Sequence, residues 1–254
     1  MNGTVAIVTG ANRGIGLAIA RELANRGAQL CITGRDADAL ERARGELAAL
    51  TDVVAVRGEV GREEDVVRTL EQAGRLGPVA TVVNNAAARG PTLPVHEMPT
   101  DAFAEVLAAN LLGPFLVAKH VLPGMFERGG GSIVNIGSIA GVEAYPLRSP
   151  YCASKWGLVG LTRTLAAEAG PHGVRVNLVA PGPTAGEGAD GVIARRAKAL
   201  GRDVEDLRAE YAKDIPLRRF VQPEEIAAAV AFLASDAASG ITGQSFCVSG
   251  GIEI

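Results

Sequence analysis

Thr4-Val5-Ala6-Ile7-Val8-Thr9 is a continuous apolar run, and Gly10-Ala11-Asn12-Arg13-Gly14-Ile15-Gly16 follows it directly. Leu17, Ile19, Ala20, Leu23 and Ala24 then recur at helical spacing. A strand buried on both faces, a glycine-rich turn and a helix start make the first half of a βα unit. Glycine lets the backbone approach a ligand, and the free N–H groups of a helix N-terminus attract an anion. Gly10, Asn12, Arg13, Gly14, Ile15 and Gly16 are therefore candidates for a nucleotide phosphate site. The spacing is G-x-x-x-G-x-G rather than G-x-G-x-x-G, so a tight βα connection without a ligand is the alternative.

The βα alternation continues. Strands are expected over 28–33, 52–57, 79–83, 131–137, 173–179 and 243–248, and helices over 36–50, 61–75, 99–121, from Tyr151 to about Gly170, and 224–235. Even spacing of this kind predicts one α/β domain over residues 1–254, a doubly wound parallel sheet with helices on both faces. Between Pro183 and Phe220 the pattern breaks into a charged insertion with helical stretches over 192–200 and 205–212, placed to act as a lid. In such a sheet, ligands sit beyond the carboxyl ends of the strands.

Composition narrows the class. With 254 residues, 48% hydrophobic, the chain can bury one sizeable core. A net charge of −3 points away from nucleic acid and from a polybasic membrane surface. Cys31, Cys152 and Cys247 lack metal-type spacing and read as reduced residues of a cytoplasmic protein. His96, His120 and His172 are scattered, and no metal site is expected. The N-terminus carries no basic region or cleavage site, and no run of ~18 apolar residues suggests a membrane span.

Three places carry chemistry. The second strand ends in Gly34-Arg35-Asp36, about 20 residues past the glycine turn, where an acid would hold the ribose hydroxyls of NAD. Glycine leaves room there and Arg35 can grip a 2′-phosphate bidentately, so NADP(H) is preferred and NAD(H) is the alternative. In the competing reading Arg35 is a solvated loop residue and Asp36 caps the next helix. Asn110 stands in the middle of an apolar helix, and Pro114 cannot donate to its carbonyl, which predicts a kink there with a place for a bound water. The side chain of Asn110 could instead tie two elements together. Tyr151 and Lys155, four apart, leave one face of a helix. A phenol near pH ~10 beside an ammonium near ~10.4 is drawn towards its anion, which makes a usable general acid or base. Ser138 follows the fifth strand, thirteen positions before Tyr151.

Together, Thr9-Gly10-x-x-x-Gly14-Ile15-Gly16, Asn84-Asn85-Ala86, Asn110, Ser138, Tyr151-x-x-x-Lys155 and Pro181-Gly182 resemble the classical short-chain dehydrogenase/reductase family over essentially the whole chain. The resemblance implies a Rossmann fold of seven parallel strands and hydride transfer between nicotinamide and a carbonyl or alcohol carbon. It makes Tyr151 the proton donor in reduction and Ser138 the group that hydrogen-bonds the substrate oxygen. Lys155 would lower the tyrosine pKa and hold the nicotinamide ribose, and Asn110 would link Lys155 to solvent through its main-chain carbonyl and a water. It extends the cofactor site to Glu59, Val60, Asn85, Ala86, Ala87, Pro181, Gly182 and Thr184. Three departures stand out: Ala87 for glycine, Glu59 for aspartate at the adenine, and Val248-Ser249-Gly250-Gly251 for Asp-Gly-Gly. The broad apolar helices around Asn110 and Tyr151 resemble the family's dimer interface, implying a homodimer or homotetramer.

The expected activity is NADP(H)-linked oxidation or reduction of a small carbonyl or secondary alcohol. A 3-oxoacyl thioester (acyl-carrier) reductase is the narrower alternative, needing a basic docking surface for which Arg89, Arg128, Arg148, Arg195 and Arg196 are candidates. A non-catalytic nucleotide-sensing protein is the alternative of another class. Ala88, Ile139, Val142, Glu143, Tyr145, Leu147, Val192 and Ile193 are the expected substrate wall, mostly apolar as pockets usually are.

Overall fold

The computed structural model describes residues 3–252. In chain order the elements are β1 (Val5–Val8), α1 (Gly14–Asn25), β2 (Gln29–Gly34), α2 (Ala37–Leu47), β3 (Val53–Arg57), α3 (Glu63–Leu76), β4 (Val79–Asn84), α4 (Thr100–Leu107) and α5 (Gly113–Glu127). Then come β5 (Gly131–Ile136), α6 (Ser149–Ala169), β6 (Val174–Pro181), α7 (Glu187–Leu200), α8 (Val204–Asp214), α9 (Pro223–Ala234) and β7 (Ser245–Val248). The strands form one seven-stranded sheet in the order β3-β2-β1-β4-β5-β6-β7, every neighbouring pair parallel. This is the expected Rossmann-type doubly wound sheet.

Successive strand residues point to opposite faces. Ala6 and Val8 of β1 join a core with α1, α2 and α9, while Val5 and Ile7 face a second core with α3, α5 and α6. Being buried on both faces is what makes the strand read as unbroken apolar sequence. The chain winds outward from β1 in both directions, so the connections after β1 and β4 part company at their carboxyl ends. That crevice is the topological switch point, where ligands bind in such sheets.

The helix expected over 99–121 is longer and interrupted. A π turn at Ala108–Leu112 separates α4 from α5, and the Gly113 N–H bonds the carbonyl of Ala108, five residues back. Pro114, without an N–H, sits just past it, as the expected kink requires. Past Val121 the helix continues through Pro123 to Glu127, because Leu122 and Met125 are buried on the sheet at about 1.5–3 kcal/mol each. The whole stretch Thr100–Glu127 is long and apolar enough by composition to cross a membrane. It holds no unbroken run of ~18 apolar residues, as expected, since Asn110, Lys119 and His120 interrupt it. In the fold, Leu116, Val117, Val121 and Met125 of this stretch lie in the second core.

The insertion over 183–220 contains α7 and α8, each starting before its expected first residue. Gly186, Gly188 and Gly191 hide the start of α7, since glycine lowers helix propensity. Ile193, Ala197, Leu207, Ile215 and Phe220 give the two helices a small core of their own. An isolated parallel bridge between Thr184 and Val221 closes the base of the segment.

Candidate active site

Thr9, the last residue before the glycine turn, organises the floor of the switch-point crevice. Its hydroxyl accepts the N–H groups of Asn85 and Ala86, both at 3.0 Å, and Asn85 Nδ2 donates to the carbonyls of Thr9 (2.9 Å) and Gly10 (3.0 Å). Two loops from separate strands are thereby locked together. Glycine is obligatory at two points: a Cβ on Gly10 would meet Ala86 Cα at 2.9 Å, and one on Gly16 would collide with the Gly10 carbonyl and Asn85 Nδ2. Gly14, at φ +55°, has open space on its Cβ side. No side chain caps α1, and no acid stands in its first turn. Its leading N–H groups are left for an anion, so the cradle fits a dinucleotide pyrophosphate.

A cleft of about 1480 Å³ runs over the strand ends. It is lined by every expected cofactor residue: Gly10, Asn12, Arg13, Gly14, Ile15, Gly16, Arg35, Glu59, Val60, Asn85, Ala86, Ala87, Tyr151, Lys155, Pro181, Gly182 and Thr184. Ser138, Ala88, Ile139, Tyr145, Val192 and Ile193 line it too. Val142, Glu143 and Leu147 do not, which corrects the expected substrate wall. The 3-10 turn Ile139–Gly141 carries Val142 and Glu143 past the cleft, and Leu147, at φ +69°, is fixed by the Leu93 N–H on its carbonyl (3.0 Å). Asn110 lies beneath the cleft at 1% exposure. Its side chain accepts the Ala88 N–H (2.7 Å) and donates to the Ala88 carbonyl (2.9 Å) and to Ser154 Oγ (3.0 Å). The π turn, the loop after β4 and α6 are thus pinned by one amide.

At the adenosine end Arg35 lines the cleft, while the contacts seen in Gly34-Arg35-Asp36 are those of the capping and solvated-loop reading. Asp36 caps α2 by accepting the Ala39 N–H, and Arg35 is exposed, with Nη1 3.7 Å from Glu105. Gly34 closes against the Asn12 side chain. Asp65 was not anticipated: its carboxylate accepts the Glu59 N–H (2.8 Å) and holds that loop, and its pKa is lowered first by this bond.

At the other end, Lys155 is buried at 3% exposure and its Nζ donates to the Ile136 carbonyl at 2.6 Å. Burial lowers its pKa to about 8. Nζ is 5.7 Å from the centroid of the Tyr151 ring. Burial raises the Tyr151 pKa, against downward pulls from the Ser138 hydrogen bond, then Arg148, then Arg89. The expected balance is therefore corrected: desolvation outweighs the cations around the phenol, and the arginines rather than Lys155 supply the pull. Arg148, read from sequence as a candidate of a docking surface, is instead buried, with Cζ 4.9 Å over the Tyr151 ring. Arg89 and Arg195 line the same cleft. Arg128 is remote, on the carbonyl of Val79, and Arg196 stacks on Tyr145 at 4.9 Å.

Tyr211, which sequence reasoning passed over, shares a 2.9 Å hydroxyl contact with Tyr145 and ties α8 to the loop after β5. The signal for it was scarcity: the chain has three tyrosines, and all three line this cleft.

Comparison with known proteins agrees with this geometry. Residues 10–253 match a family model described as enoyl-(acyl carrier protein) reductase. The D-threitol dehydrogenase of Mycolicibacterium smegmatis is 38% identical over 257 aligned residues, covering 100% of this chain and 94% of that protein. The chain belongs to the short-chain dehydrogenase/reductase family. Two solved structures of similar fold carry different cofactors. An NAD+-bound xylitol dehydrogenase superposes with a TM-score of 0.95 at 34% identity, over 98% of this chain and 99% of that one. A single-residue variant of the actinorhodin polyketide ketoreductase with NADPH superposes equally well, TM-score 0.95 at 34% identity, over 99% of both chains. The chain is accordingly an oxidoreductase of alcohol and carbonyl groups using a nicotinamide cofactor.

Proposed function

We propose that this chain is a single-domain, NADP(H)-preferring reductase and dehydrogenase of small carbonyls and secondary alcohols, with Tyr151 as its general acid and base. The observation that carries the reading is the meeting of Tyr151, Lys155 and Ser138 beside a phosphate cradle in one cleft. The cofactor supplies the hydride. Tyr151 gives its proton to the substrate oxygen in reduction and takes it back in oxidation. Ser138 hydrogen-bonds the same oxygen and stabilises the charge that develops on it. Lys155 serves the nicotinamide ribose and the proton path, and Asn110 holds the π turn so that its main-chain carbonyl can carry a water towards Lys155. A phenol kept protonated by burial is poised as a donor to the substrate oxygen.

Residues 183–220 act as the lid, with Val192 and Ile193 over the substrate. Three free thiols fit a cytoplasmic setting. Leu112, Phe115 and Trp156 are exposed on the π turn, α5 and α6, and a second copy of the chain covers them in a dimer or tetramer. The acyl-carrier alternative retains Arg89 and Arg195 at the cleft, because Arg148 is buried, Arg128 is remote and Arg196 is stacked on Tyr145. A nucleotide sensor without chemistry would have no use for the Tyr151–Lys155 pair.

The test is titration of the protein with NADPH and NADH, repeated on Arg35→Ala. NADPH should bind at least tenfold tighter, a difference of about 1.4 kcal/mol, and the substitution should erase the gap. Equal or tighter binding of NADH would return Arg35 to a solvated loop residue.

A further inference from the structure

The cleft is electrically divided. Its acidic lining residues, Asp36, Glu59 and Glu105, lie towards the adenosine end, on the loops after β2 and β3 and on α4. Around Tyr151 the charged lining residues are all cations: Lys155, Arg89, Arg148 and Arg195. Among the described residues no carboxylate forms an ion pair with any of these four.

Arg148 is the informative member. It is 3% exposed, yet its guanidinium makes one hydrogen bond, from Nη2 to the Arg89 carbonyl at 2.9 Å. Its Nε is buried without a partner. An uncompensated buried cation is costly, and buried charges are ordinarily paired. The chain also accepts backbone strain just before it, with Leu147 in the left-handed region at φ +69°. Arg89 reaches across the cleft to the Gly188 carbonyl on α7, so the cationic wall spans the loop after β4, the start of α6 and the lid. Ile139, Val192, Ile193 and Phe220 supply apolar lining in the same cleft.

We propose that Arg148, with Arg89 and Arg195, forms an anion subsite beside Tyr151 that binds the carboxylate of a hydroxy or oxo acid with a compact apolar body. This rests on the reductase reading above and names its substrate class. A planar guanidinium at the cleft wall matches a carboxylate, and it selects against neutral analogues by leaving Arg148 buried and without a counter-charge when they bind.

The probes are cyclohexanecarboxylate and its neutral isostere cyclohexanecarboxamide, titrated by calorimetry against the protein with and without the nicotinamide nucleotide it binds more tightly. The acid should bind at least tenfold more tightly than the amide. Arg148→Gln should reduce that preference below twofold and Arg195→Gln should diminish it. Arg202→Gln, which removes a lid ion pair with Glu210, should leave it intact. Equal binding of acid and amide to the unsubstituted protein overturns the subsite, with no variant needed. So does a preference that survives Arg148→Gln, or an Arg148→Gln protein that loses nucleotide affinity as much as carboxylate affinity, since the arginine then serves the cofactor. Should no nucleotide bind at all, the reductase reading fails by itself, and the acid–amide comparison on the nucleotide-free protein still decides the subsite.

Discussion

Lys155 shows how a single buried group sets conditions for the whole site. Its ammonium is desolvated and has a carbonyl rather than a carboxylate as its partner, so the folded pKa of about 8 lies below the ordinary lysine value. Below pH 8 both folded and unfolded chains hold the proton, and the cost of burying the charge is fully present. Between about pH 8 and 10.5 the unfolded chain binds more protons than the folded one, so this group makes stability rise with pH. Lys155→Met removes that cost along with the bond to the Ile136 carbonyl, so its stability relative to the parent should be greatest at pH 7 and below. This difference should fall as pH climbs through that window, as read by urea unfolding at a series of pH values. A gap independent of pH would mean that Lys155 is not held in this way. Arg148 teaches the opposite lesson about legibility. Sequence could place it before a helix but could not tell a solvated loop charge from a buried one, because that depends on the turn at Leu147 and on a carbonyl 59 residues away.

Among the elements, the join between α4 and α5 was half legible. Pro114 announced a break, and the apolar residues announced burial. That the break is a π turn, and that helix continues beyond Pro123, depended on packing against the sheet. The β1 turn was the most legible element, since a buried strand and its glycines leave few alternatives. The substrate loop was the least legible: the 3-10 turn after Ser138 removes Val142 and Glu143 from the cleft, and nothing in their own residue types foretells it. Asn110→Ala tests the join. It strands the Ala88 N–H and carbonyl and removes the bond to Ser154, which should cost about 2–3 kcal/mol in chemical unfolding. A loss under half a kilocalorie, on the order of a surface change, would show that the amide pins nothing.

Across the whole molecule, hydrophobic alternation and the βα repeat made the parallel sheet readable, and the switch point then located the cleft. Which partners cover the outer faces is a matter between molecules. Trp156 is 52% exposed, and Phe115 and Leu112 are exposed as well. If the proposed dimer or tetramer forms through these helices, Phe115→Asp combined with Trp156→Glu should give smaller species in light scattering, whereas an unchanged mass would remove these helices from the proposed interface. The central claim, that Tyr151 transfers the proton in a nicotinamide-linked reaction, is tested most directly by comparing the parent with Tyr151→Phe. Consumption of reduced nicotinamide would be followed across a carbonyl panel, with nucleotide affinity measured in parallel. The account predicts a fall in turnover of ~10²–10⁴-fold with affinity unchanged within about twofold, a change worth well under 1 kcal/mol. A Tyr151→Phe protein that turns over within tenfold of the parent contradicts it.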